Sequence, residues 1–253
     1  MRWLMVGAWN VSWNESHENC VRLVLSGHTS AASVQAERSG HERPYGGPAR
    51  HDGDVTQDGD TDWAGYYAWS SGRKPRPLLL AACQELGDGA GRMAIDLGCG
   101  DGTDALELLA RGWTVTTVDA EPTGLASLQA RIPTPAADRI QIVCASFTQA
   151  GLPRAHLIHA GFSLPFCPAP EFPALWTRIR GALVPGGIFA GQLFGTRDSW
   201  AGEPGMTFHT RQDVQALLAG LEILGLSETE RDGQAFSGPK HWHTFDILAR
   251  NPG

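Results

Sequence analysis

The 253-residue chain has no apolar run of the roughly 18–20 residues that a membrane-spanning helix needs, so no membrane partner is expected. It has no C-x-x-C pair either. Its five cysteines (Cys20, Cys83, Cys99, Cys144, Cys167) are scattered, which argues against a metal site and fits a reducing, cytoplasmic compartment. There is no basic excess: the formal charge is −7, so no broad positive field draws nucleic acid or anionic lipid. Internal repeats are absent. What remains, 42% hydrophobic and 19% charged residues, is the composition of an ordinary globular protein.

The first stretch, residues 1–57, differs from the rest. Trp3, Trp9 and Trp13 follow neither helical nor strand period, and SGHERPYGGPARHDGD follows them. Leu4–Trp9 is too short for a signal-peptide core. The reading is a disordered extension ahead of one domain at 58–253, with Asn10 and Asn14 in chance glycosylation triplets.

Beyond Asp58 the pattern becomes regular. Trp63, Tyr66 and Tyr67 make an aromatic helical face, SGRKPRP breaks that helix, and a second helix spans 77–86. Strands are then expected to end at Leu97 and to span 114–119, 140–145, 156–160 and 188–193. Helices are expected at 104–111, 122–131, 171–183 and 211–219. This βα alternation implies a doubly wound α/β sheet, mostly parallel, with helices on both faces. Segments 222–230 and 241–249 have no helix between them and should form a C-terminal antiparallel hairpin.

The most informative stretch is AIDLGCGDGTDAL, residues 94–106. Glycines at 98, 100 and 102 join a buried strand to a helix, where backbone N–H groups are free and a ligand can approach closely. A dinucleotide fold would use G-x-G-x-x-G, but Thr103 stands where its third glycine belongs. Asp96, Asp101 and Asp104 surround the turn with carboxylates, which repel a pyrophosphate and suit an ammonium or sulfonium ligand.

The D-x-G-x-G-x-G order resembles motif I of the class I S-adenosyl-L-methionine (SAM) methyltransferases. With WAGYYAWSSGRKPRPLLL, TVDAEPTGL, SLPFCP and LVPGGIFAGQLFG, the chain is most similar to the tellurite-resistance and thiopurine-type small-molecule enzymes over about residues 60–250. The resemblance implies a Rossmann-like sheet of seven strands, SAM as cofactor and a small-molecule methyl acceptor. No Asn/Asp-Pro-Pro-aromatic motif follows the fourth strand, where the DNA and protein amide enzymes carry one. The alternatives are an NAD-dependent oxidoreductase and a SAM-binding sensor or scaffold without catalysis.

Cofactor contacts are expected just after each strand. Asp96, Gly98, Gly100 and Gly102 would line the methionine half, and Asp119 would accept from the ribose hydroxyls. Ala145, Ser146 and Phe147 would meet the adenine, although the family's usual acidic residue near Ser146 is missing. Gly161 would pass close to the sulfonium, and Arg73 could clamp the methionine carboxylate. His156 replaces an expected aspartate and is read as structural, and Cys167 is read as a buried thiol. The catalytic group is unknown; if the acceptor needs a base, His209, His241 and His243 are the candidates.

Overall fold

The computed structural model describes residues 62–253 and the backbone of residues 3–6 and 9–12. Within the expected extension, β1 (Trp3–Val6) and β2 (Trp9–Ser12) pair antiparallel. The remainder of 1–57, Asn14 and Cys20 included, lies outside the described residues.

The Asp62 carboxylate accepts the Gly65 N–H at 2.8 Å and caps α1 (Trp63–Trp69). Pro77 opens α2 (Pro77–Leu86), where its missing N–H costs nothing. There follow β3 (Met93–Leu97), α3 (Thr103–Ala110), β4 (Thr114–Asp119), α4 (Pro122–Arg131) and β5 (Ile140–Cys144). The second half comprises β6 (Ala155–Ala160), α5 (Phe172–Ala182), β7 (Leu183–Gly195), β8 (Phe208–His209), α6 (Arg211–Leu217), β9 (Glu222–Ala235) and β10 (Gly238–Arg250).

The sheet runs β5-β4-β3-β6-β7-β10-β9. Strands β3 to β7 are parallel, and β10 is antiparallel to both neighbours. Strand order reverses between β3 and β6, which puts a crevice beyond their carboxyl ends. Among the described residues this sheet has eight strands, one more than expected: two-residue β8 pairs with Phe194 and Gly195 at the tip of β7. Strand β7 is also longer than 188–193, because it takes in Pro185–Gly187 with Gly186 at φ 76°.

Side chains alternate across the sheet. Ala94, Leu157, Ile188, Ala190 and Leu248 face α2 and α3. Ile95, Ile158, Phe189, Leu193, Phe245 and Ile247 face α5 and α6. Burial on both faces explains why the parallel strands read as continuous apolar runs.

One buried ion pair fastens the outer end of this sheet. The Lys240 ammonium donates to Asp198, with both side chains almost wholly inaccessible, and sits 3.7 Å from the Trp200 ring centroid and 4.7 Å from that of Trp242. Asp198 also accepts the N–H groups of Trp200 at 3.0 Å and His243 at 3.1 Å. Lys240→Met strands that carboxylate without its counter-ion, so urea denaturation should show a loss of about 3–5 kcal/mol. A loss below about 1 kcal/mol would mean that the pair does not hold the segment between β7 and β8 to the sheet.

Candidate functional site

At the crevice the chain leaves β3 through three glycines with positive φ: Gly98 at 70°, Gly100 at 54° and Gly102 at 79°. A side chain at Gly98 would overlap Ser163, and one at Gly102 would overlap Leu128. These two glycines therefore satisfy packing as well as conformation. A Cβ on Gly100 would come within 2.9 Å of the Tyr67 ring, which α1 lays over the turn.

Asp119, at the end of β4, holds that turn in place. One carboxylate oxygen accepts the Gly100 N–H at 2.8 Å and the other accepts the Glu121 N–H at 2.9 Å. Burial raises the Asp119 pKa, and these hydrogen bonds oppose the rise. Burial and the neighbouring Asp119 charge likewise raise the pKa of the Tyr67 phenol.

A second polar group gathers on the other side of the turn. Asp104, in the first turn of α3, accepts from Arg73 at 2.7 Å and from the Arg76 backbone N–H at 2.9 Å. The Nε of Arg76 lies 3.4 Å from it and His159 Nε2 lies 3.6 Å away. Burial works against the Asp104 charge, but the His159 and Arg73 contacts outweigh it and hold the carboxyl below the usual range. The His159 ring donates through Nδ1 to the Ala190 carbonyl at 3.0 Å. Beside it on β3 lies Asp96, 2% exposed, whose pKa burial pushes up to about 7. Gly161 closes the cluster: a side chain there would overlap Arg76 and come within 2.9 Å of His159 Nε2.

Three buried polar atoms here have no hydrogen-bond partner: Asp96 Oδ2, His159 Nε2 and Arg76 Nε. Buried polar groups are ordinarily satisfied; Arg76 Nε and His159 Nε2 have only the Asp104 carboxylate at 3.4 and 3.6 Å, and Asp96 Oδ2 has no such contact, so the cluster keeps hydrogen-bonding capacity for a polar ligand.

Residues 94–187, from β3 into β7, match the methyltransferase-domain family. That stretch is similar to a methyltransferase domain, and the sheet around it has the Rossmann-like fold of such enzymes. Among solved structures, the chain is similar to TehB from Haemophilus influenzae (16% identity, TM-score 0.61), with 74% of this chain and 66% of TehB covered. The match thus spans just under two thirds of TehB. It is also similar to the 1,6-didemethyltoxoflavin-N1-methyltransferase of Burkholderia thailandensis (21% identity, TM-score 0.54), covering 74% of this chain and 84% of that one. The [4+2]-cyclase SpnF shares the fold as well (18% identity, TM-score 0.53), covering 69% of this chain and 80% of SpnF. No curated protein sequence matches the chain significantly.

In the structure the sequence-predicted positions separate into two groups. Asp96, Gly98, Gly100, Gly102, Asp119, Gly161 and Arg73 converge on the crevice, with Arg73 held by Asp104. Ala145, Ser146 and Phe147 form the turn after β5. There the Ala145 N–H donates to the Asp119 carbonyl, Ser146 bonds Thr148 and Gln149, and Phe147 packs on the core.

The histidine candidates are engaged elsewhere. His209 is buried against the Phe172 ring, and burial lowers its pKa to about 4. His241 contacts Asp232 and Glu230. His243 donates to Glu228 at 2.9 Å and accepts the Arg197 N–H at 3.0 Å. Glu228 and Glu230 supply carboxylates beside His243 that its sequence neighbours gave no sign of, and Arg197 pairs with both at 3.0 and 2.5 Å. Cys167 is fully buried, and burial pushes its thiol up to about 11. His156 accepts the Met93 N–H at 3.3 Å, a structural role.

Sequence reasoning missed His159, Arg76 and the position of Tyr67. His159 lies within the apolar strand AHLIHA, where a lone histidine reads as core; the SGRKPR basic pattern pointed to Arg73 and passed over Arg76.

The Asp96 environment sets a pH dependence. Its folded pKa lies above its unfolded value, so its contribution to stability is complete below about pH 4 and declines as pH rises toward about 7. Asp96→Asn should remove this component. The stability of the wild type relative to the variant should therefore fall between pH 4 and pH 8 in urea titrations; a constant difference would show that Asp96 ionises freely.

Proposed function

We propose that the chain transfers a methyl group from SAM to a small-molecule acceptor in the cytoplasm, with no nucleic-acid or membrane partner. The observation that carries this reading is the glycine turn tethered by Asp119 and flanked by orphaned buried polar atoms. Among the described residues, no helix is long and apolar enough to cross a membrane.

When bound, SAM supplies an electrophilic methyl group on a sulfonium leaving group. The chain's residues do the rest by holding and excluding. Asp119 uses one lone pair on each oxygen for Gly100 and Glu121, leaving acceptor capacity for ribose hydroxyls. Asp96 would meet the ammonium, and the remaining donors of Arg73 would suit the carboxylate. Tyr67 and Trp63, on α1, keep water out. Orientation of the acceptor within such an enclosure is worth roughly 7–11 kcal/mol of barrier. With His209, His241 and His243 committed elsewhere, the reading favours an acceptor that needs no histidine base.

Methyl transfer is tested by release of S-adenosylhomocysteine (SAH) from SAM in the presence of candidate acceptors, which a sensor or scaffold would never produce. Asp119→Ala should weaken SAH binding more than tenfold with the fold retained, because charge-assisted hydrogen bonds are worth about 1.5–3 kcal/mol each. Unchanged SAH affinity by calorimetry would remove Asp119 from the cofactor site.

A further inference from the structure

A groove of about 470 Å³ lies between α2 and the outer strands, beside the cofactor crevice. Its walls are Leu78 and Ala81 of α2 and the Phe162 ring; its floor is Gln192, Asp246 and Ser227. These three are cross-strand neighbours, with Gln192 opposite Asp246 and Asp246 opposite Ser227, so they form one polar row over β7, β10 and β9. Gly191 is paired with Ala160, the last residue of β6, which sets Gln192 level with Gly161 at the crevice mouth. Phe162 is thus a wall of the groove and a neighbour of the cofactor turn. At φ 58° it is the only non-glycine residue with positive φ among those described.

The floor holds two acceptor groups with unused capacity. Gln192 is 5% exposed and its Oε1 has no partner, while Asp246 offers a carboxylate that receives only a 3.4 Å contact from Ser227. Both call for donors. No lysine, arginine or histidine lines the groove. The nearest guanidinium, Arg76, stacks over Phe162 at 5.0 Å and is paired with Asp104. An anion placed there would meet Asp246 with no cation to offset it.

We infer that this groove binds the methyl acceptor, and that the acceptor is a small planar ring carrying N–H donors, neutral or cationic rather than anionic. The apolar walls take the ring faces, and Gln192 and Asp246 take its N–H groups. The volume is in the range of small-molecule sites. Calling the ligand an acceptor rests on the methyl-transfer reading; the groove's preference for donor-bearing rings does not.

The test is calorimetry on the full chain, with and without saturating SAH, using 2-aminoquinoline and 5-aminoindole as donor rings and 2-naphthoate as an anion of similar size. The amines should bind, and 2-naphthoate should bind at least tenfold more weakly. Gln192→Leu should weaken amine binding about tenfold, Ala81→Phe should abolish it by filling the groove, and SAH affinity should stay within twofold in Gln192→Leu. The inference is overturned if neither amine binds, if 2-naphthoate binds as tightly, or if amine binding survives both substitutions. Failure of the wild type to bind SAH would instead strike at the methyl-transfer reading, while the SAH-free arm still decides the ligand class of the groove.

Discussion

The Asp104 carboxylate joins the three pieces of chain that make the site. It sits in the first turn of α3, where the helix dipole favours a negative charge. From there it receives Arg73 and the Arg76 backbone from the segment before α2, and stands 3.6 Å from His159 on β6. Without that anchor the segment before α2 would lose its hydrogen bonds to α3, and two partly buried guanidinium groups would lose their counter-charge. A buried charge is tolerable when several donors meet it, and Asp104 is such a case.

From this anchor Arg76 touches both the Asp104 cluster and the groove. Arg76 touches Asp104 with one side of its guanidinium region and covers the Phe162 ring with its face. The positive φ of Phe162 is the kind of strained backbone that persists where its surroundings over-determine it. On the cofactor side, Tyr67 spans Gly100 and Gly124, so α1 covers the turn directly.

Much of this architecture is legible in the sequence because its causes are local. The spans expected for α2, β4 and α4 coincide with those observed, since Pro77, Gly112 and Pro122 punctuate them. The glycine turn is legible for the same reason: positive φ at residues 98, 100 and 102 requires glycine. What is hidden depends on pairing between distant segments. The tip strand β8 exists only because Phe208 meets Phe194, and β7 extends to Leu183 because Ala155 pairs with it. His159 and Gln192 escape notice because each lies in an apolar strand, and only the assembled sheet shows that His159 Nε2 and Gln192 Oε1 are left without a hydrogen bond. The histidine pair 241/243 misleads in the opposite direction: its alternation is real, but Glu228, Glu230 and Asp232 of β9 turn it into part of an ion-pair network.

The central claim is that carboxylates around a glycine turn select a ligand with a cationic amino-acid end over a pyrophosphate. Calorimetric titration of the wild-type chain with SAH and, separately, with NADH tests it most directly. The account predicts saturable one-to-one binding of SAH and no detectable heat from NADH at the same concentrations. NADH binding as tight as or tighter than SAH binding would contradict it.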